Sequence, residues 1–260
     1  MTQTGDDGQV ATTTDGRTPG QRGQATRQRL LDATVELLGS TPWRSVKVID
    51  IARSAGTSPA TFYQYFENVE RVITVLAEDA VADASSVADL VDGDWSTEHS
   101  WEQALAVAEG FLGYWEKNRA VFRVLEFGTD DSDTGLKGLR VRALNAITVA
   151  LAGAIATCQP PTEGPRGLST SSPAGSDPMA VAGTLVAMMA SVAAHRFGFE
   201  FWGIRTANLL DSQARLIHFA VSGRAGPDGL VGREPASPAA RPRTSPIAGA
   251  AVAQRGSSVR

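Results

Sequence analysis

Residues 48–66, VIDIARSAGTSPATFYQYF, constrain this chain more than any other stretch. Val48, Ile51, Ala52 and Ala55 follow the i, i+3, i+4, i+7 spacing of one helix face. Gly56 comes next, and glycine closes a helix in the left-handed region without a steric penalty. Ser58 then suits an N-cap, and Pro59 fits a first helical position, where no amide donor is needed. The second helix is short and carries Phe62 and Phe66 four residues apart on one face. A helix, a glycine turn and a short capped helix make a helix-turn-helix; geometry alone leaves an ordinary helical hairpin as the alternative.

The surface of the second helix separates the two. A solvated helix end usually carries Lys and Glu, yet no charge occurs from Thr57 to Phe66. Thr61, Tyr63, Gln64 and Tyr65 offer a hydroxyl, an amide and two phenols instead. Such groups hydrogen-bond phosphate oxygens and base edges. Gln64 has the geometry for a bidentate pair with adenine, and Ala60 or the Thr61 methyl for contact with a thymine methyl.

The stretch closely resembles the DNA-binding head of the TetR family of bacterial transcriptional regulators. The resemblance is carried by Arg27, Leu30-Leu31-Asp32-Ala33, Val48, Ile51-Ala52, Ala55-Gly56-Thr57-Ser58, Thr61-Phe62-Tyr63, Tyr65-Phe66 and Glu70, within residues 24–72. It implies an all-α protein. A three-helix helix-turn-helix head is joined by a long helix to a larger helical domain for ligand binding and dimerisation. It also implies a homodimeric, ligand-responsive regulator, usually a repressor. The DNA-contact positions expected here are Lys47, Ser58, Pro59, Ala60, Thr61, Tyr63, Gln64 and Tyr65. Two positions depart from the family pattern. Lys47 stands where Ser or Thr commonly caps the helix before the turn; lysine cannot cap, though it reaches a phosphate as a point charge, and Ser45 is the alternative cap. Val69 stands where a phosphate-binding Lys is common, with Arg71 as the substitute.

Charge agrees in sign with a nucleic-acid partner only locally. The whole chain has formal net charge -4. Residues 22–71 hold seven basic groups (Arg22, Arg27, Arg29, Arg44, Lys47, Arg53, Arg71) against five acids (Asp32, Glu36, Asp50, Glu67, Glu70). The single cysteine, Cys158, excludes an intrachain disulfide and a thiolate metal cluster. It suits a reducing cytoplasm, as does an N-terminus without a signal-peptide pattern. The longest apolar run, residues 179–194, is interrupted by Gly183, Thr184 and Ser191 and falls short of the ~20 residues a membrane span needs. No membrane association, metal or cofactor is expected.

Residues 1–23 are polar and expected to be a disordered arm. A first helix is predicted over 25–38, with Leu30, Ala33, Leu37 and Leu38 inward, and Trp43 is expected to pack under the head. Asn68 is an N-cap for a long helix reaching toward Leu90, a rigid lever between head and body. Helices are predicted over 100–117, 119–127 and 134–157, with an acidic loop at 128–133. The Pro-, Gly- and Ser-rich segment 159–178 reads as a flexible loop within a body domain spanning 73–222. Asp177 and Pro178 begin a helix running toward Trp202, Thr206 begins a last one, and 223–260 reads as a disordered basic tail.

By the same resemblance, the last two helices pair with their copies, and two recognition helices meet a palindromic operator in double-stranded DNA. The middle helices enclose a ligand pocket, with Trp101, Phe111, Trp115, Phe122, Phe127, Met188, Met189 and Phe197 as candidate walls. With few charges among these, the effector is expected to be small and largely apolar. Two rivals stand beside this reading. One is an all-helical ligand- or protein-binding module that keeps the head without binding DNA specifically. The other is an enzyme, against which the sequence shows no nucleophile–base pair, paired carboxylates or metal spacing; His99, His195 and His218 are scattered.

Overall fold

The computed structural model describes residues 14, 20–127, 134–159, 162–163, 169–170 and 177–224. The expectations for the acidic loop 128–133, the basic tail, and most of the N-terminal arm and the 159–178 segment lie outside them. The described residues form helices α1 (Gln21–Ser40), α2 (Val48–Ser54), α3 (Pro59–Tyr65), α4 (Val69–Ala88) and α5 (Ser100–Lys117). These are followed by α6 (Arg119–Phe127), α7 (Thr134–Cys158), α8 (Pro178–Phe201) and α9 (Thr206–Ser222). The only strand residues among them are the antiparallel pair Thr162–Glu163 and Ser169–Thr170.

The helix-turn-helix closes as its residue types dictate. Gly56 sits at φ +65°, and the Gly56 and Thr57 amides donate to the Arg53 and Ala52 carbonyls. This pair of bonds terminates α2 in a Schellman turn. The Ser58 hydroxyl accepts from the Thr61 amide at 3.1 Å, and Pro59 occupies the first turn of α3. Phe62 and Phe66 are buried with ring centroids 5.7 Å apart, against a core that includes Leu30, Ile51 and Val72. The Arg27 guanidinium lies over Phe66 at 5.5 Å, which gives this arginine a structural task.

Three expectations need correction. The first helix starts at Gln21, four residues early, because Gln21, Arg22 and Gln24 are sound helix formers and outweigh Gly23. Ser45 does not cap α2: it ends a 3₁₀ turn, Trp43–Ser45, and the N-cap position falls to Lys47 without a side-chain bond. The lever helix ends at Ala88, and Asp89–Val91 continues as a 3₁₀ turn. At its start, the Asn68 carboxamide accepts from the Arg71 amide at 2.8 Å.

In the body, α4 packs chiefly on α7, α5 on α9, and α7 on α8. The Tyr114 hydroxyl reaches the carbonyls of Ala80 on α4 and Ala143 on α7 at 3.1 and 2.9 Å, and burial pushes its pKa far up. Residues 135–158 and 178–201 are each long and apolar enough to cross a membrane by length and composition. This corrects the shorter apolar run read at 179–194, although here both helices pack into the helical body.

The structure also joins two residues 118 positions apart. The Ser100 hydroxyl lies 3.0 Å from His218 Nε2, and both side chains are buried. Ser100 Oγ also lies 2.8 Å from the Thr97 carbonyl, so the hydroxyl bridges α9 and the turn before α5. Burial holds the His218 pKa below its ordinary 6.5. The unfolded chain therefore binds this proton more readily, and stability is lost as pH falls below about 6.5. Thermal melts from about pH 7.5 to pH 5.5 should fall more steeply for wild type than for His218→Gln. Equal slopes would contradict this origin.

Candidate nucleic-acid interface

The α3 surface is presented outward by its two buried phenylalanines. Phe62 is 0% exposed and its neighbour Tyr63 is 53% exposed, with the two rings edge to face. Ser58, Pro59, Ala60, Tyr63 and Gln64 are exposed; Thr61 and Tyr65 are half-buried. Lys47 is exposed at the start of α2. Seven of the eight expected contact positions lie on α3 or cap it, and Lys47 meets them beside Tyr63. Between them, an open depression of about 720 Å³ is lined by Lys47, Ile49, Tyr63, Asn68 and Glu70, together with Trp43 and Arg44.

Two features of this surface escaped sequence reasoning. Arg44 lines the depression with its guanidinium 4.9 Å from the Trp43 ring centre, so Trp43 holds a cation at the surface and is only half-buried. The adjacency of Trp43 and Arg44, three residues before Lys47, was the available signal. Thr14 also reaches the end of α3: its amide donates to the Gln64 carbonyl at 3.0 Å and its hydroxyl to the Tyr63 and Gln64 carbonyls at 3.1 Å. These bonds use backbone oxygens and leave the Tyr63 and Gln64 side chains exposed. Arg71 points elsewhere, pairing with Glu78 at 3.8 Å, while Val69 is buried in the core.

The seven pocket candidates with described side chains do not surround one cavity. Trp115 and Phe122 stack at 4.3 Å with planes 4° apart, and Phe111 stacks on Trp115 at 6.2 Å. Phe111 and Met189 line a closed space between α5, α8 and α9, together with Leu112, Arg196 and Gln213. Its volume is about 10 Å³, close to what a single water needs. Trp101 packs edge-on against His218 and under the Arg215 guanidinium at 5.1 Å. Met188 is half-buried, and Phe197 lies at the surface within 4.6 Å of Arg119 and 5.0 Å of Arg196. The Phe127 side chain lies outside the described residues.

Residues 30–72 match the family described as bacterial regulatory proteins, tetR family. Residues 87–228, more than half of the chain, match the Tetracyclin repressor-like, C-terminal domain. The chain belongs to the TetR family. No curated protein sequence matches it. Solved TetR-like structures share the fold. A TetR-like transcriptional regulator from Rhodococcus sp. RHA1 aligns at 21% identity and TM-score 0.55, covering 80% of this chain and 100% of the other. The regulator FadR from Bacillus subtilis, in complex with stearoyl-CoA, aligns at 15% identity and TM-score 0.54, covering 76% and 98%. A SmeT–triclosan complex aligns at 18% identity and TM-score 0.55, covering 84% and 100%. This TetR-family chain therefore carries the family's head and body on one continuous core.

Proposed function

We propose that this TetR-family regulator is a cytoplasmic repressor that binds a palindromic operator as a homodimer and leaves it when a small, largely apolar ligand binds the body. The observation that carries the reading is the outward α3 surface, uncharged from Thr57 to Phe66 and flanked by Lys47 and Arg44. Tyr63 and Tyr65 contact phosphates, Gln64 reads a base edge, and the two cations supply the salt-dependent attraction. The fold neighbours holding stearoyl-CoA and triclosan support a ligand-responsive body. In this chain, ligand entry widens the closed space beside Phe111 and Met189, where Arg196 is the lining cation. Displaced α5 side chains then press on α4, whose N-terminus enters the head. Ligand and operator oppose each other through one coupling free energy, typically ~1–3 kcal/mol.

Dimerisation is supported by the apolar side chains that α8 and α9 leave in solvent. Phe201 is 88% and Trp202 71% exposed, and Phe197, Leu216 and Phe219 are also exposed. Such a patch on a folded domain is the mark of an interaction surface, and a second copy covers it by twofold symmetry. The test is a pair of charge insertions. Phe201→Glu and Phe219→Glu together should convert the protein to a monomer in sedimentation and reduce operator binding by at least about a hundredfold, because one half-site contact is lost. A double variant that sediments and binds like wild type would refute this interface.

A further inference from the structure

A second concave site lies where the head meets the body. A cleft of about 420 Å³ separates the end of α1 from α6. Leu38, Pro42, Trp43 and Val124 give it an apolar lining, and Arg44 and Arg123 supply two guanidinium groups. No carboxylate is among the lining residues described. Arg123 spans the gap: its Nη1 donates to the Gly39 carbonyl at 2.6 Å, tying α6 to the end of α1. Beyond Arg123 a further hollow of about 600 Å³ continues past Glu36, Lys117 and Arg119. The tie thus stands as a bar between two open spaces.

We propose that the cleft binds an amphipathic monocarboxylate, its carboxylate on Arg123 and its apolar part against Trp43, Pro42 and Val124. The volume lies within the ~300–1,000 Å³ of small-molecule sites, and an apolar lining with a few placed polar groups is their usual make-up. The class of ligand follows from the chemistry of the bar. A guanidinium fork matches a carboxylate with two parallel bonds to an anion, whereas the Gly39 carbonyl is neutral and takes a single bond from Nη1. A carboxylate therefore takes Arg123 from Gly39. The acyl or aryl body replaces water against Trp43 and Val124, while Arg44 adds a second positive charge at the rim. Loss of the Arg123–Gly39 bond frees the end of α1 from α6 and so loosens the head against the body. This site is separate from the closed space between α5, α8 and α9. Its effect on DNA binding rests on the regulator reading above; its occupancy does not.

The test uses octanoate as the probe and octanol as its uncharged counterpart, titrated calorimetrically into the full chain. Octanoate should bind at least roughly tenfold more tightly than octanol. Arg123→Gln, which keeps a donor but removes the charge, and Thr41→Trp, which fills the cleft from its rim, should each weaken octanoate binding roughly tenfold or more. Melting temperatures of both variants confirm that they fold. Equal binding of octanoate to wild type and both variants, or binding no tighter than that of octanol, overturns the proposal. Failure of the regulator reading shows differently, as an absence of duplex binding by the unliganded protein.

Discussion

Phe62→Ala should unfold the head and abolish duplex binding. Phe62 is fully buried and touches both Phe66 and Tyr63 through their rings. Truncating a buried phenylalanine to alanine typically costs about 3–5 kcal/mol, the lost transfer energy plus the cavity left behind. That is a large share of the ~5–15 kcal/mol by which a domain is stable. The cost is concentrated because α3 has only seven residues and one buried side chain of its own. A helix this short does not persist without its anchor. Denaturant unfolding followed by helical circular dichroism reads the loss, and a mobility-shift titration reads the binding. A destabilisation below about 1 kcal/mol with binding retained would contradict the anchoring role.

Gln64→Ala should leave stability unchanged and remove sequence discrimination. The Gln64 side chain is exposed, and its one described tertiary link, to Thr14, runs through its backbone carbonyl. Replacing it therefore changes the surface without disturbing the chain beneath. A bidentate base contact contributes roughly 1–3 kcal/mol of discrimination, and a dimer on two half-sites doubles it to roughly 2–6 kcal/mol. The loss should appear on operator DNA and not on a scrambled duplex. Tyr63→Phe gives the contrast, since loss of a phosphate contact weakens both duplexes alike. If Gln64→Ala weakens both equally, Gln64 is not a base reader.

The head was legible in the sequence because its determinants are local. Gly56, Ser58, Pro59, Phe62 and Phe66 act within a few residues of one another, and each behaves as its chemistry requires. The body was legible only as helices. Nothing in the spacing of Trp115 and Phe122 tells that they stack on each other, because the stack depends on the turn between α5 and α6. An inward aromatic reads the same from sequence whether it fills a core or lines a pocket. Phe197 shows the converse: an apolar residue at helical spacing lies outside, between two arginines from different helices. The Ser100–His218 and Arg123–Gly39 links join residues 118 and 84 positions apart, and no local pattern announces such partners. Lys47 could be weighed correctly as a non-capping residue, but Arg44 entered the interface only through the 3₁₀ turn that carries it.

As proposed, the uncharged tip of α3 enters a groove of duplex DNA. The most direct test of this contact is a binding titration of the purified protein against DNA flanking its own gene, repeated over a range of salt concentrations with a scrambled duplex beside it. Specific binding is expected at low ionic strength, with log K falling linearly in log salt at roughly 0.9 per phosphate neutralised. Absence of binding to any duplex at low ionic strength would contradict it.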